Sequence, residues 1–263
     1  MSRSLYALFS NLSSMISLEN INHGHIMNTN DYNLFNHFHS HFDLFSDKTL
    51  ITTEKEQSYS YREIDQQTAR IANYLVSLGV RSGDRISAQV TKSPQSLCLY
   101  LACLRAGLVY HPLNPAYSIY ELKYFFENAE PEIIVCDTEN YQKIIQLAKS
   151  LKVKKIETLD CDGSGSLIDN SNDSSIEFKP VFRAENDHAA LLYSSGTTGV
   201  PKGITLTHGN LLSNAKSLQQ IWEITKGDHL LHCLPTFHVH GLFISIGSIL
   251  LSGASMRWLA AFT

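Results

Sequence analysis

The stretch "LLYSSGTTGVPKGITLTHGN", residues 191–210, sets Ser194, Ser195, Thr197 and Thr198 beside Gly196 and Gly199, then adds Pro201, Lys202 and Gly203. A plain turn between strands needs only one or two such residues. Glycine lets a backbone bend tightly and approach a ligand. Amides freed in such a bend form a concavity that takes anions. Four hydroxyls add donors and Lys202 adds a full positive charge. Together they suit a polyphosphate. The Walker pattern G-x-x-x-x-G-K-[ST] leads straight into a helix. Here the fifth residue after Gly196 is Pro201, and "GITL", 203–206, reads as a strand, with a helix only from about Thr207 to Trp222. A Walker-type NTPase is therefore excluded.

Upstream, the pattern from Tyr32 onward is regular. Leu34, Phe35, Phe38, Phe42 and Phe45 fall at helical spacing. His37 and His41 share that helix and read as exposed histidines beside an aromatic stripe, since no third metal ligand lies near. "TLITT" and "QSYSY" read as two short strands around a charged turn. Ser60 and Glu63 form a capping box, as do Ser118 and Glu121. Ser93 followed by Pro94 opens another helix, which Gly107 stops. "DRISAQV", "LVYHPLN", "PEIIVCD" and "VKKIETL" are strands separated by helices. The alternation predicts an α/β fold with mostly parallel sheets covered by helices on both faces. Residues 161–187 are polar and rich in Gly, Ser, Asn and Asp, which predicts a surface connection and a subdomain boundary. "DHLLHCLP" reads as a strand, residues 239–254 as a buried helix and "ASMRWLA" as a final strand.

Of the 263 residues, 43% are hydrophobic and 17% charged, a globular composition. A formal net charge of −4 gives no reason to expect nucleic acid as partner. Five cysteines without a CxxC argue for a reducing compartment. The expected location is the cytoplasm, or the mitochondrial matrix if residues 1–26 are a targeting peptide. Those residues are rich in Ser and Asn and read as a disordered extension ahead of an alternative start at Met27. The run from Val239 to Ala254 is diluted by Gly and Ser and falls short of the roughly 20 residues of a membrane span.

"YSSGTTGVPKG", 193–203, resembles the phosphate-binding signature of the acyl-adenylate-forming enzymes: acid–CoA ligases, luciferases and the adenylation domains of peptide synthetases. "LPTFHVHGL", 234–242, resembles the motif that carries an aromatic–His pair beside the acyl pocket of that family. A zinc reading of His229, His232, Cys233, His238 and His240 fits no standard ligand spacing, because Pro235 breaks any common helix. Residues 82–137 and 232–256 look like the malonyl-CoA synthetase branch.

The resemblance implies an incomplete N-terminal domain over residues 27–263, with a first subdomain at 27–180 and the start of a second at 185–263. It implies an ATP-dependent ligase that joins a carboxylic acid, malonate foremost, to coenzyme A through an acyl-AMP. Ser194, Ser195, Gly196, Thr197, Thr198, Gly199 and Lys202 would hold the β- and γ-phosphates, with Thr197 or Thr198 near Mg²⁺. Lys202 would offset charge building on the leaving pyrophosphate. His238 would position the acyl group, with proton transfer as a second option. The family's ribose-binding Asp, its hinge and its C-terminal domain with the adenylating Lys are not found in the sequence. "LAAFT", 259–263, departs from the family's continuation, as a shifted reading frame or an early stop would produce. The expected partners are ATP, CoA, a small carboxylic acid and a separately encoded C-terminal part. Alternatives are a non-catalytic nucleotide-binding fragment and a ligase for fatty or aryl acids.

Overall fold

Why the chain folds as it does is visible first at its helix ends. A computed structural model describes residues 30–194 and 201–260. Helix α1 (Leu34–Leu44) starts where the Asn33 side chain accepts from the Phe35 amide, and it buries Leu34, Phe35, Phe38 and Phe42. Strands β1 (Thr49–Thr53) and β2 (Ser58–Ser60) form a hairpin. Helix α2 (Tyr61–Ser77) opens on the Ser60–Glu63 capping box. Then come β3 (Arg85–Gln89), α3 (Pro94–Arg105), β4 (Val109–Pro112), α4 (Ile119–Ala129) and β5 (Ile133–Cys136). These are followed by α5 (Tyr141–Ala148) and β6 (Lys155–Thr158). Ser93 caps α3 with Pro94 at its first turn, and Ser118 with Glu121 boxes α4. Each of these helices begins where the sequence predicted, because a capping box is a local signal.

The chain continues through α6 (Ser166–Ser171), β7 (His188–Ser194), β8 (Lys202–Thr207), α7 (His208–Ile221) and β9 (His229–His232). A π-helical turn (His240–Ser245), α8 (Ile246–Ser252) and β10 (Ser255–Trp258) follow. Six strands pair in the order β6-β5-β3-β4-β7-β8, all parallel except the β7–β8 hairpin. Four strands pair in the order β2-β1-β10-β9, with β1, β10 and β9 parallel. Helix α3 lies in the main core, and every residue along it except Gln95 is buried. Its last residue, Arg105, ion-pairs with Asp65 at 2.7 Å and stacks its guanidinium over the Phe35 ring.

Three expectations change. Residues 161–187 are not only a connection. They carry α6, which the buried Glu157 carboxylate holds by accepting from Ser166 and Asn170, with the Tyr74 hydroxyl donating to the same group. The strands before and after this connection also mix, since β7 joins β4 while β10 joins β1. His37 and His41 are half-buried rather than exposed; burial lowers the pKa of each, and His41 stacks on Phe45. The apolar run near residue 239 enters as a π-helical turn rather than an α-helix. No helix among the described residues is long and apolar enough to cross a membrane.

Three imidazoles are fully buried. Burial pushes His111 down to about 3, and His208 and His232 to about 4. They are neutral in the fold, whereas the unfolded chain protonates them below about pH 6.5. The unfolded state therefore binds more protons as pH falls from 6.5 towards 4, and each group removes stability at up to about 1.4 kcal/mol per pH unit. The urea midpoint should drop steadily from pH 7.5 to pH 5. An unchanged midpoint across that range would contradict neutral burial.

Candidate functional site

In a parallel α/β sheet, ligands bind outside the carboxyl ends of the strands. Strands β3, β4, β5 and β7 run parallel, so the residues after Gln89, Pro112, Cys136 and Ser194 emerge at one end of the six-stranded sheet. In the smaller sheet β9 and β10 are likewise parallel, and both end near His232 and Trp258. Lys92, three residues beyond the end of β3, ties the two ends together. Its ammonium donates to the His232 carbonyl at 2.9 Å and the Leu259 carbonyl at 2.7 Å, and it lies 4.6 Å from the Trp258 ring centre. Burial pushes Lys92 down to about 8, so at pH 7 most of it keeps its charge. His232 stacks on the same Trp258 at 4.7 Å and bonds through Nε2 to the Gly241 carbonyl.

Between these ends lies a cavity of about 410 Å³. Thr91, Lys92 and Pro115 line it from the larger sheet, and residues 233–237 with Ala260 from the smaller one. Thr91 is fixed by two bonds to the Asp137 carboxylate. Gln89 holds the turn after β4 by donating to the carbonyls of Pro115 and Tyr117. Phe237 reaches the cavity wall; His238 is exposed and packs its ring against Phe237 at 4.4 Å. A second depression, of about 320 Å³ between α5 and β6, lies by the opposite edge of the large sheet and holds none of the candidate residues.

Ser194 and Lys202 occupy the last rung of the β7–β8 hairpin, directly opposite each other. Ser194 is half-buried and Lys202 exposed. Ser195, Gly196, Thr197, Thr198 and Gly199 lie outside the described residues, and with them the expected Mg²⁺ ligands. Strand β8 then feeds α7, whose Thr207 cap is boxed by Asn210. Among the described residues, no hydrogen bond or ring contact joins His238 to Ser194 or Lys202. No His/Cys/Asp/Glu group there could hold a metal ion.

Sequence reasoning missed Lys92. The signal was available, since a lone lysine followed a strand and preceded a Ser–Pro cap. It also missed Tyr193 as a contact residue. Tyr193 packs on Phe125 at 4.7 Å and on the buried His111 at 5.4 Å, and burial pushes its hydroxyl up to about 12, which keeps it a donor.

Two mainly parallel sheets, joined at their carboxyl ends and edged by a phosphate-type hairpin, make the fold of the N-terminal domain of the adenylate-forming enzymes. The chain belongs to the AMP-binding enzyme family, whose model matches residues 38–263. It is similar to the oxalate–CoA ligase of Arabidopsis thaliana, 28% identical over 224 residues, which span 82% of this chain and 43% of the relative. The malonate–CoA ligase of Arabidopsis thaliana is 28% identical over 225 residues, 79% of this chain and 37% of the relative. The crystal structure of ATP-bound MatB from Rhodopseudomonas palustris superposes with a TM-score of 0.83 at 43% identity, over 89% of this chain and 46% of that one. The chain thus spans less than half the length of the curated relatives it matches.

Gly241 lies where the acyl motif turns into the π-helix, and a Cβ there would collide with the Pro235 carbonyl. A Cβ at Gly247, in α8, meets only the Ala215 methyl at 3.4 Å. Gly241→Ala should cost about 1–3 kcal/mol, as overpacking does. Gly247→Ala should be neutral or stabilising by up to about 1 kcal/mol. Urea midpoints measure both, and equal values for the two variants would refute the Gly241 contact.

Proposed function

We propose that this chain is the nucleotide- and acid-binding part of an AMP-forming acid–CoA ligase whose acid is malonate. The observation that carries the reading is the hairpin rung that puts Lys202 opposite Ser194 at the carboxyl end of β7. Residues 27–180 serve as its first subdomain and 185–263 as the start of its second, with β7 and β10 exchanged between their sheets. The malonate assignment is supported by the likeness of residues 82–137 and 232–256 to that branch and by the malonate–CoA ligase among the relatives. Its cytoplasmic placement is supported by five free cysteines.

In this reading the acid carboxylate attacks the α-phosphate of ATP. Pyrophosphate leaves and acyl-AMP forms. The thiol of CoA then attacks the acyl carbon, giving the thioester and AMP. Ser194, Ser195, Gly196, Thr197, Thr198 and Gly199 hold the β- and γ-phosphates, and Lys202 places a fixed cation where charge grows on the departing pyrophosphate. Mg²⁺, when bound, would supply charge neutralisation through oxygen ligands, as suits a hard cation. A hydroxyl of Thr197 or Thr198 is of the right chemistry to join them. His238, carried on the segment that Lys92 and His232 brace, positions the acyl group. Polypeptide corresponding to the relatives' additional length supplies the remaining walls, and a chain carrying it is the partner this reading requires.

Equilibrium dialysis with labelled MgATP tests the grip. The chain should retain ATP, and Lys202→Ala should weaken retention about ten- to a hundredfold, the ~1.5–3 kcal/mol of a hydrogen bond to a charged group. His238→Ala should leave it unchanged. Release of AMP with malonate and CoA present then reports turnover. ATP retention without AMP would favour a nucleotide-binding fragment, and no retention at all would end the reading.

A further inference from the structure

Both flanks of the phosphate hairpin are held by one helix. Tyr124 of α4 donates its hydroxyl to the Pro201 carbonyl at 2.7 Å. One turn further along α4, Asn128 accepts the Tyr193 hydroxyl through Oδ1 at 2.5 Å. Positions four apart lie on the same helix face, so a single face of α4 reaches residue 193 on one strand and residue 201 beside the other. The rings reinforce this. Tyr193 meets Phe125 at 4.7 Å and Tyr124 at 6.2 Å. The helix itself is fixed, since Leu122, Phe125 and Phe126 are buried in a cluster with Ile134 and Ile144, and Ser118 with Glu121 caps its start.

We infer that Tyr124 and Asn128 are positioning residues that set the spread of the hairpin's open end and thereby the placement of Ser194 and Lys202. The two hydrogen bonds close a frame across the rung where Ser194 opposes Lys202. Without the frame, the last rungs of an edge hairpin are free to fray, because among the described residues β8 pairs only with β7. A cation serves a transition state best when its position is fixed before charge develops. Helix α4 supplies that fixity from its own buried cluster. For its consequence the inference rests on the phosphate-gripping reading of the loop; its geometry does not.

The test compares the wild-type chain with Tyr124→Phe, Asn128→Ala and the double variant. Tyr120→Phe, an 84% exposed tyrosine on the same helix, is the control. Tyr124 and Asn128 are half-buried and exposed, so neither change opens the core. Amide hydrogen exchange of the hairpin peptides, followed by mass spectrometry without ligand, should speed up about fivefold in each single variant, the scale of one neutral hydrogen bond. The double variant should exceed either. MgATP affinity should fall by a similar factor, and the thermal midpoint should stay within about 2 °C of wild type, roughly the shift that a fraction of a kcal/mol makes in a chain of this size. Unchanged exchange in the double variant overturns the inference, as does unchanged ATP affinity in a chain that binds ATP. If the wild-type chain retains no ATP, the phosphate-gripping reading fails on its own, and the ligand-free exchange still decides the clasp.

Discussion

The register of one antiparallel pair constrains everything the site can do. β7 is laid against β4 in the parallel sheet, with Ala190 paired to Tyr110, so its place is fixed by a neighbour that the core holds. β8 then returns alongside it, with Tyr193 opposite Gly203 and Ser194 opposite Lys202. A slip by one residue would turn each side chain to the other face of the sheet and would carry Lys202 away from the ligand-binding end. The parallel strands decide where the chain's polar turns collect. The hairpin decides where its positive charge stands.

The same logic extends to the second sheet. Helix α3 is buried nearly all round because it is wedged into a single apolar cluster that runs from Leu34 to Trp258. Sheets that share a core in this way cannot rotate independently without opening it. Lys92 completes the arrangement by bonding across the two carboxyl ends, where its ammonium meets the Leu259 carbonyl and shares the His232 carbonyl with the Leu259 amide. Leaving such a carbonyl unmet costs about 1–3 kcal/mol. The cavity beside Lys92 is bounded by the residues that follow the strand ends: Thr91 and Lys92 after β3, Pro115 after β4, Cys233 to Phe237 after β9 and Ala260 after β10.

Other surfaces are unfinished by the standard of a closed core. β9 and β8 are outer strands of their sheets, and Leu231, Ile204, Ile221 and Trp222 are exposed beside them or on the helix that follows β8. Apolar residues on free strand edges invite further pairing. That accords with a chain matching less than half the length of its relatives.

The sequence by itself determined what depends on near neighbours. The capping boxes at Ser60 and Ser118, the start at Pro94 and the stop at Gly107 involve partners within a few positions, so their signals survive in one dimension. The glycines, hydroxyls and lysine of residues 194–203 are contiguous, so the phosphate-binding expectation too could be drawn from one stretch of sequence. Only tertiary structure decided which strands are neighbours, that β10 lies against β1 some 200 positions earlier, and that Lys92, Tyr124 and Asn128 reach the site. Those pairings bring together residues far apart in the chain, and what selects them is burial of a shared apolar core, a sum over many contacts that no single stretch of sequence contains.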